Sequence, residues 1–217
     1  MIAKKETIAM ALIADIRRAA GVLGTEVPLA AALVGLDVAA RLLPHAPNFT
    51  PVAASAVFAG MMFRTRSLAL AVPVTAMLLS DLVLGSYDWR IMGVVYASLA
   101  LPAVLAMWGR KFRLPIVVVP VVLSSSLMFF MTTNFAVWAF SGMYPDDLGG
   151  LIRCYVAALP FLQNTVTGDI VWSAALFGTW WLASLTFSPS QATPRVAPSL
   201  SSGGAARRPV GAMRATV

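Results

Sequence analysis

A carboxylate inside a run of aliphatic residues is the first feature that could do chemistry: Asp81, in Ser80-Asp81-Leu82-Val83-Leu84-Gly85. A charge taken into an apolar medium is costly, so such a residue has a partner or meets a ligand. Arg153 is the candidate partner, and the pair is either structural or has one member freed for a charged substrate. Asp37 and Arg41 are spaced i,i+4 and are read as an ion pair on one helix face. His45 lies in Pro44-His45-Ala46-Pro47-Asn48-Phe49-Thr50-Pro51, a stretch stiffened by its prolines. It is either a plain loop residue or a presented ligand contact. Asn48 is either a ligand contact or the N-cap of the next helix. Tyr87, Asn134, Trp138, Tyr144 and Phe161 add polar and aromatic groups. Trp89, Trp138 and Tyr144 suit a membrane-interface belt first and the walls of a pocket second. Cys154 is read as a small buried apolar residue, although Arg153 beside it could activate a thiol. With one histidine and one cysteine in the chain there is no His-based metal cluster and no intrachain disulfide. No Gly-x-x-x-x-Gly-Lys-Ser/Thr loop is present. The expectation is therefore a chain with no metal and no cofactor that is not an enzyme.

The elements that hold these residues are set by composition. Of 217 residues, 59% are apolar and only 12% charged. A soluble domain is about one quarter charged. The net charge is +7, which in a soluble chain would suggest nucleic acid. Here the basic residues sit between apolar runs, which points to a lipid bilayer and to no nucleic-acid partner. Runs of membrane length fall at 27–43, 49–63 (short), 67–85, 91–108, 114–140 and 170–187. The expected fold is an all-α integral membrane protein with a bundle of six transmembrane helices. Residues 1–26, with Ile8, Leu12, Ile16 and Leu23 on one side, read as an amphipathic helix lying in the interface. Residues 27–187 form a single membrane domain. Residues 188–217 are rich in Ser, Pro, Gly, Ala and Arg and read as a disordered basic tail.

Charge sets the orientation. Lys4, Lys5, Arg17, Arg18, Arg64, Arg66, Arg110, Lys111, Arg113, Arg195, Arg207, Arg208 and Arg214 all fall on one side of a six-span arrangement. Only Arg41, Arg90 and Arg153 fall on the other. The positive-inside rule then places both termini in the cytoplasm. The segment 148–163 carries Arg153 and contains Pro160, and is read as a re-entrant or interfacial helix on the outer side. Counted from Arg66, Asp81 lies about 23 Å across the membrane, and Asn134 lies about 31 Å from Arg113. The unusual polar and aromatic groups thus collect at the outer end, which is explained by a pocket open to the outside.

Ala31, Gly35 and Ala39 recur every four residues on the first span and permit close approach of another helix. Either internal packing or a second membrane subunit would use them.

A set of motifs carries a resemblance over about residues 27–187. It comprises Asn48-Phe49-Thr50-Pro51-Val52-Ala53-Ala54, the Asp81 motif, and Thr133-Asn134-Phe135-Ala136-Val137-Trp138 with Tyr144-Pro145. It continues with Gly150-Leu151 through Cys154-Tyr155 to Leu159-Pro160-Phe161 and Asn164-Thr165. Together these resemble a bacterial family of unknown function described as candidate transport proteins. That family is similar to the substrate-binding S components of energy-coupling factor vitamin transporters. The resemblance implies a six-helix protein with both ends inside and a pocket in the outer half for a vitamin- or cofactor-like molecule. It adds Asn164 to the candidate binding residues. It also implies docking of the first helix, at Ala31, Gly35 and Ala39, on an energy-coupling subunit driven by ATPases. No specific vitamin-binding motif is present.

The leading expectation is a small-molecule uptake protein, with Asp81, Asn134 and Arg153 giving polar specificity and Trp138, Tyr144 and Phe161 stacking on the substrate. A structural subunit of a membrane complex is the second reading. A membrane enzyme acting on lipid-linked substrate, using His45 with Asp81, is the third.

Overall fold

The structure is a computed structural model and describes residues 2–112 and 114–186. The tail expected at 188–217 lies outside the described residues, as do the side chains of the amphipathic leader up to residue 20. The described residues form six helices and no strand: α1 (Ile2–Leu42), α2 (Val52–Met62), α3 (Arg66–Leu84), α4 (Trp89–Gly109), α5 (Leu114–Phe140) and α6 (Leu148–Thr186).

Local chemistry sets the breaks. Pro44, Pro47 and Pro51 lack the N–H that would carry α1 onward, and Pro51 itself precedes α2 with φ −76°. Gly85 ends α3 at φ +96°, a conformation open to glycine and strained for other residues. The carboxylate of Asp88 caps α4 by accepting the Arg90 N–H at 2.8 Å. Asp147 does the same for α6, accepting from Gly150 N at 2.6 Å. Asn48 does not cap α2; it sits in the left-handed region at φ +62°, where asparagine is among the better-tolerated residues.

Helix α2 has only 11 residues, most of them buried, and it packs against every other helix. Its close approach to α4 depends on Gly60, where a Cβ would lie 2.6 Å from the Ala103 carbonyl oxygen. Beside it, Val57, Ala106 and Val122 join α2, α4 and α5 in one cluster. On the other side, Phe58, Leu33 and Val72 join α2 to α1 and α3. At one end of the bundle the carboxylate of Glu26 accepts from Arg64 N (2.5 Å) and Thr65 N (3.1 Å), tying α1 to the α2–α3 turn.

Among the described residues, four helices are long and apolar enough to cross a membrane: α1 within 23–42, α3, α4, and α5 within 117–140. Leu82, Val83, Leu127 and Val171 face outward from the bundle, as lipid contact requires. Trp89 and Trp108, 79% and 80% exposed, stand at the two ends of α4. Their separation of about 28 Å along the helix matches the apolar thickness of a bilayer, with its aromatic belts.

Two expectations change. The leader and first span are one continuous helix of 41 residues, about 60 Å long, rather than two elements. Likewise, 148–163 and 170–187 are not separate: α6 runs unbroken for 39 residues because the polar stretch between them keeps helical hydrogen bonding. Its course is nonetheless uneven. The Cys154 thiol reaches the Asn134 carbonyl, and Asp169 meets Ser126. Between these contacts α6 advances fifteen residues while α5 retreats eight. Straight antiparallel neighbours would move equally, so α6 slants by an excess of about 10 Å, with Pro160 inside the slanted part. Leu148, Ile152, Val156 and Leu159 form an exposed apolar stripe that starts at the beginning of α6 and runs into that part.

Candidate functional site

The connections α1–α2, α3–α4 and α5–α6 gather at one end of the bundle. Arg41 reaches Asp81 there, and Arg90 reaches the Phe140 carbonyl at 3.5 Å. Between them a cavity of about 320 Å³ runs down to the level of α2. Because α2 is short, the proline-rich loop before it dips between its neighbours and lends His45, Asn48 and Thr50 to the wall. Tyr87, Ser98, Ser125, Thr165 and Asp169 add polar groups, and Met77, Leu99, Pro102 and Phe129 the apolar surface. The size is at the small end of ligand sites.

Arg41, on the last turn of α1, is the most elaborately held group of the wall. Its Nε donates to Ser80 Oγ at 2.6 Å and its Nη2 to Asp81 Oδ1 at 2.5 Å. The other oxygen of Asp81 accepts from Tyr96 Oη at 2.8 Å. Ser80 in turn donates to the Ala76 carbonyl at 2.8 Å. This network binds α1, α3 and α4 and satisfies a charge pair that would otherwise be prohibitive at this depth.

The expected pairings are therefore corrected. Asp81 pairs with Arg41, not Arg153; the guanidinium of Arg153 is exposed and, among the described residues, donates to its own helix at the Gly149 carbonyl. Arg41 turns away from Asp37, because the α3 carboxylate offers closer geometry than the i−4 residue. Asp37 is fully buried and accepts instead from Ser55 on α2 at 2.8 Å, and its second oxygen has no partner.

Of the residues expected to bind a substrate, His45, Asn48 and Tyr87 line the cavity, and Asp81 braces it through Arg41. Asn134, Trp138, Tyr144, Arg153, Phe161 and Asn164 do not line it. Asn134 bonds back to the Phe130 carbonyl at 2.7 Å, and Trp138 Nε1 donates to the Pro145 carbonyl at 3.0 Å. Phe161 faces outward on the slanted part of α6. Arg41, Thr165 and Asp169 line the cavity without having been expected there. The i,i+4 spacing of Thr165 and Asp169 is the sequence signal that puts both on one helix face. Cys154 is buried, as its apolar reading requires.

In the loops, electrostatics is local. The Arg90 guanidinium and N–H hold the Asp88 carboxyl down at about 2. Burial, with Asp81 nearby, pushes the Tyr87 phenol above its usual value. Among the described residues no three His, Cys, Asp or Glu side chains form a metal-binding group.

Four long apolar helices, outward-facing aliphatic side chains and a solute-sized cavity at one end define an all-helical membrane protein. Residues 23–194 match a family of unknown function, DUF6580, and the chain belongs to that family. No curated protein matches the chain, and no solved structure does.

Proposed function

We propose that this protein binds a small, vitamin- or cofactor-like molecule from outside the cell for uptake. The observation that carries the reading is the cavity of about 320 Å³, walled by residues from all six helices and the proline-rich loop. In this reading α2 and α6 cross the bilayer with the other four helices, both termini are cytoplasmic, and the cavity opens outward. The placement of basic residues supports that orientation, since Arg64, Arg66, Arg110 and Lys111 flank the end opposite the cavity. The slanted part of α6 lies along the outer interface, with its apolar stripe toward lipid. The membrane concerned is the bacterial inner membrane.

The binding of solute drives transport only by favouring one conformation over another. The chain has no phosphate-binding loop of its own, so any ATP is hydrolysed by a partner. Ala31, Gly35 and Ala39 are all exposed on α1 and are the proposed contact with an energy-coupling membrane subunit, as in the S components that the sequence resembles. The same exposed stripe favours the second reading, a structural subunit without a ligand.

Native mass spectrometry of the protein in mild detergent separates the two. The transport reading expects a co-purifying small molecule that is absent from Ala53→Phe, a substitution that fills the cavity. An empty wild-type protein from cells grown on several media would favour the structural subunit.

A further inference from the structure

The charges on the cavity wall do not cancel. Arg41, His45 and Asp169 are the Arg, His and Asp side chains that line it, and Lys and Glu are absent from the lining. The charge of Arg41 is answered by Asp81, with Ser80 on a second nitrogen. His45 is exposed at the mouth, its Nδ1 2.7 Å from the Leu43 carbonyl. Asp169 remains. It is only 4% exposed and lies on α6 at the level of Ser126 on α5. Ser126 Oγ donates to its Oδ2 at 2.6 Å. Its Oδ1 has no hydrogen bond among the described residues, and no Arg, Lys or His pairs with it. A buried carboxylate with one hydroxyl donor and an open oxygen facing a cavity is an incomplete site.

We infer that the cavity takes a cationic solute, one with a protonated amine or other positively charged nitrogen that completes the coordination of Asp169. The inference rests on the reading of this cavity as a solute site. The remaining lining suits such a molecule. Phe129 and Tyr87 put aromatic rings in the lining, a residue class that attracts cations. Ser125 and Thr165 supply hydroxyl groups near the carboxylate, and Thr165 stands one helical turn from it. Met77, Leu99 and Pro102 cover an apolar body. An anionic molecule would face Asp169 with its charge unanswered, and Arg41 has none to spare.

The test uses the full-length protein in lipid nanodiscs and native mass spectrometry. The probes are the cationic, neutral and anionic ion-exchange fractions of a small-molecule cell extract. A bound mass from the cationic fraction is expected, with affinity lower by about tenfold or more in Asp169→Asn, the scale of one charge-assisted contact. Thr165→Lys, which would supply an internal cation to Asp169, is expected to abolish binding while keeping the carboxylate. A bound mass from the neutral or anionic fraction alone overturns the inference and leaves the cavity as a solute site. Cation binding unchanged in folded Asp169→Asn and Thr165→Lys also overturns it. No bound mass from any fraction overturns the reading of the cavity itself.

Discussion

Removing Asp81 and Arg41 together should be far less damaging than the sum of removing each alone. At 2.5 Å and an effective dielectric of about 20, the gross attraction of the pair is about 7 kcal/mol. Desolvation of the two ions consumes most of that, so the pair adds little net stability. Losing one partner is different, because it strands the other charge among three helices. Asp81→Ala leaves Arg41 with a serine, and Tyr96 with an unanswered hydroxyl. Each single alanine substitution is expected to cost about 3–5 kcal/mol. The double variant should cost less than the sum of the two by at least about 2 kcal/mol, the coupling that a contact pair shows. The assay is reversible unfolding in mixed micelles of mild detergent and dodecyl sulfate, followed by tryptophan fluorescence. Arg153→Ala is the control, expected within about 0.5 kcal/mol of wild type and additive with Asp81→Ala. Additive effects of Arg41→Ala and Asp81→Ala, or coupling of Asp81 to Arg153, would refute the network.

Gly60→Leu should force α2 from α4, since even a Cβ meets Ala103 and Ala106 at under 3 Å; a loss of at least about 1–3 kcal/mol is expected in the same assay. Glu26→Ala removes the acceptor for two N–H groups of the α2–α3 turn and should cost about 1–2 kcal/mol, with faster amide exchange at Arg64 and Thr65. Gly35→Leu has free space around it and should leave the isolated protein as stable as wild type, while weakening co-purification of a membrane partner if α1 is a docking helix.

Much of the helical framework was legible because its signal is local. Apolar runs bounded by proline, glycine or arginine marked α2 to α5 within a few residues, and the proline-rich stretch before α2 marked a loop. The continuity of α6 was not legible. Arg153, Pro160 and Asp169 interrupt the apolar pattern, yet helical hydrogen bonding is indifferent to polarity where a side chain finds a partner. Asp81 stood out as a charge among aliphatic residues, but its partner did not. Arg41 is four residues from Asp37, and sequence spacing favours that local pair. The choice of Asp81 depends on how α1 and α3 lie side by side, which no spacing within either helix reveals. Asp169 was missed for the related reason that it falls between two segments read as separate. Asn134, Trp138 and Phe161 were placed by depth alone. Depth fixes height in the membrane but not which face of a helix a residue occupies, and Phe161 stands on an exposed face of α6, outside the cavity lining.

Uptake through this cavity requires that it be aqueous, open to the outside and reach the level of Ser98. The most direct test of that requirement is the reaction of Ser98→Cys, in a Cys154→Ala background, with a membrane-impermeant methanethiosulfonate reagent on intact cells. Ser98 is buried and lines the cavity, whereas Leu82, on the outward surface of α3, faces lipid. With the cavity open outward, Ser98→Cys is modified from outside and Leu82→Cys is not. Reaction of Ser98→Cys only in inverted vesicles, or from neither side, would contradict that opening.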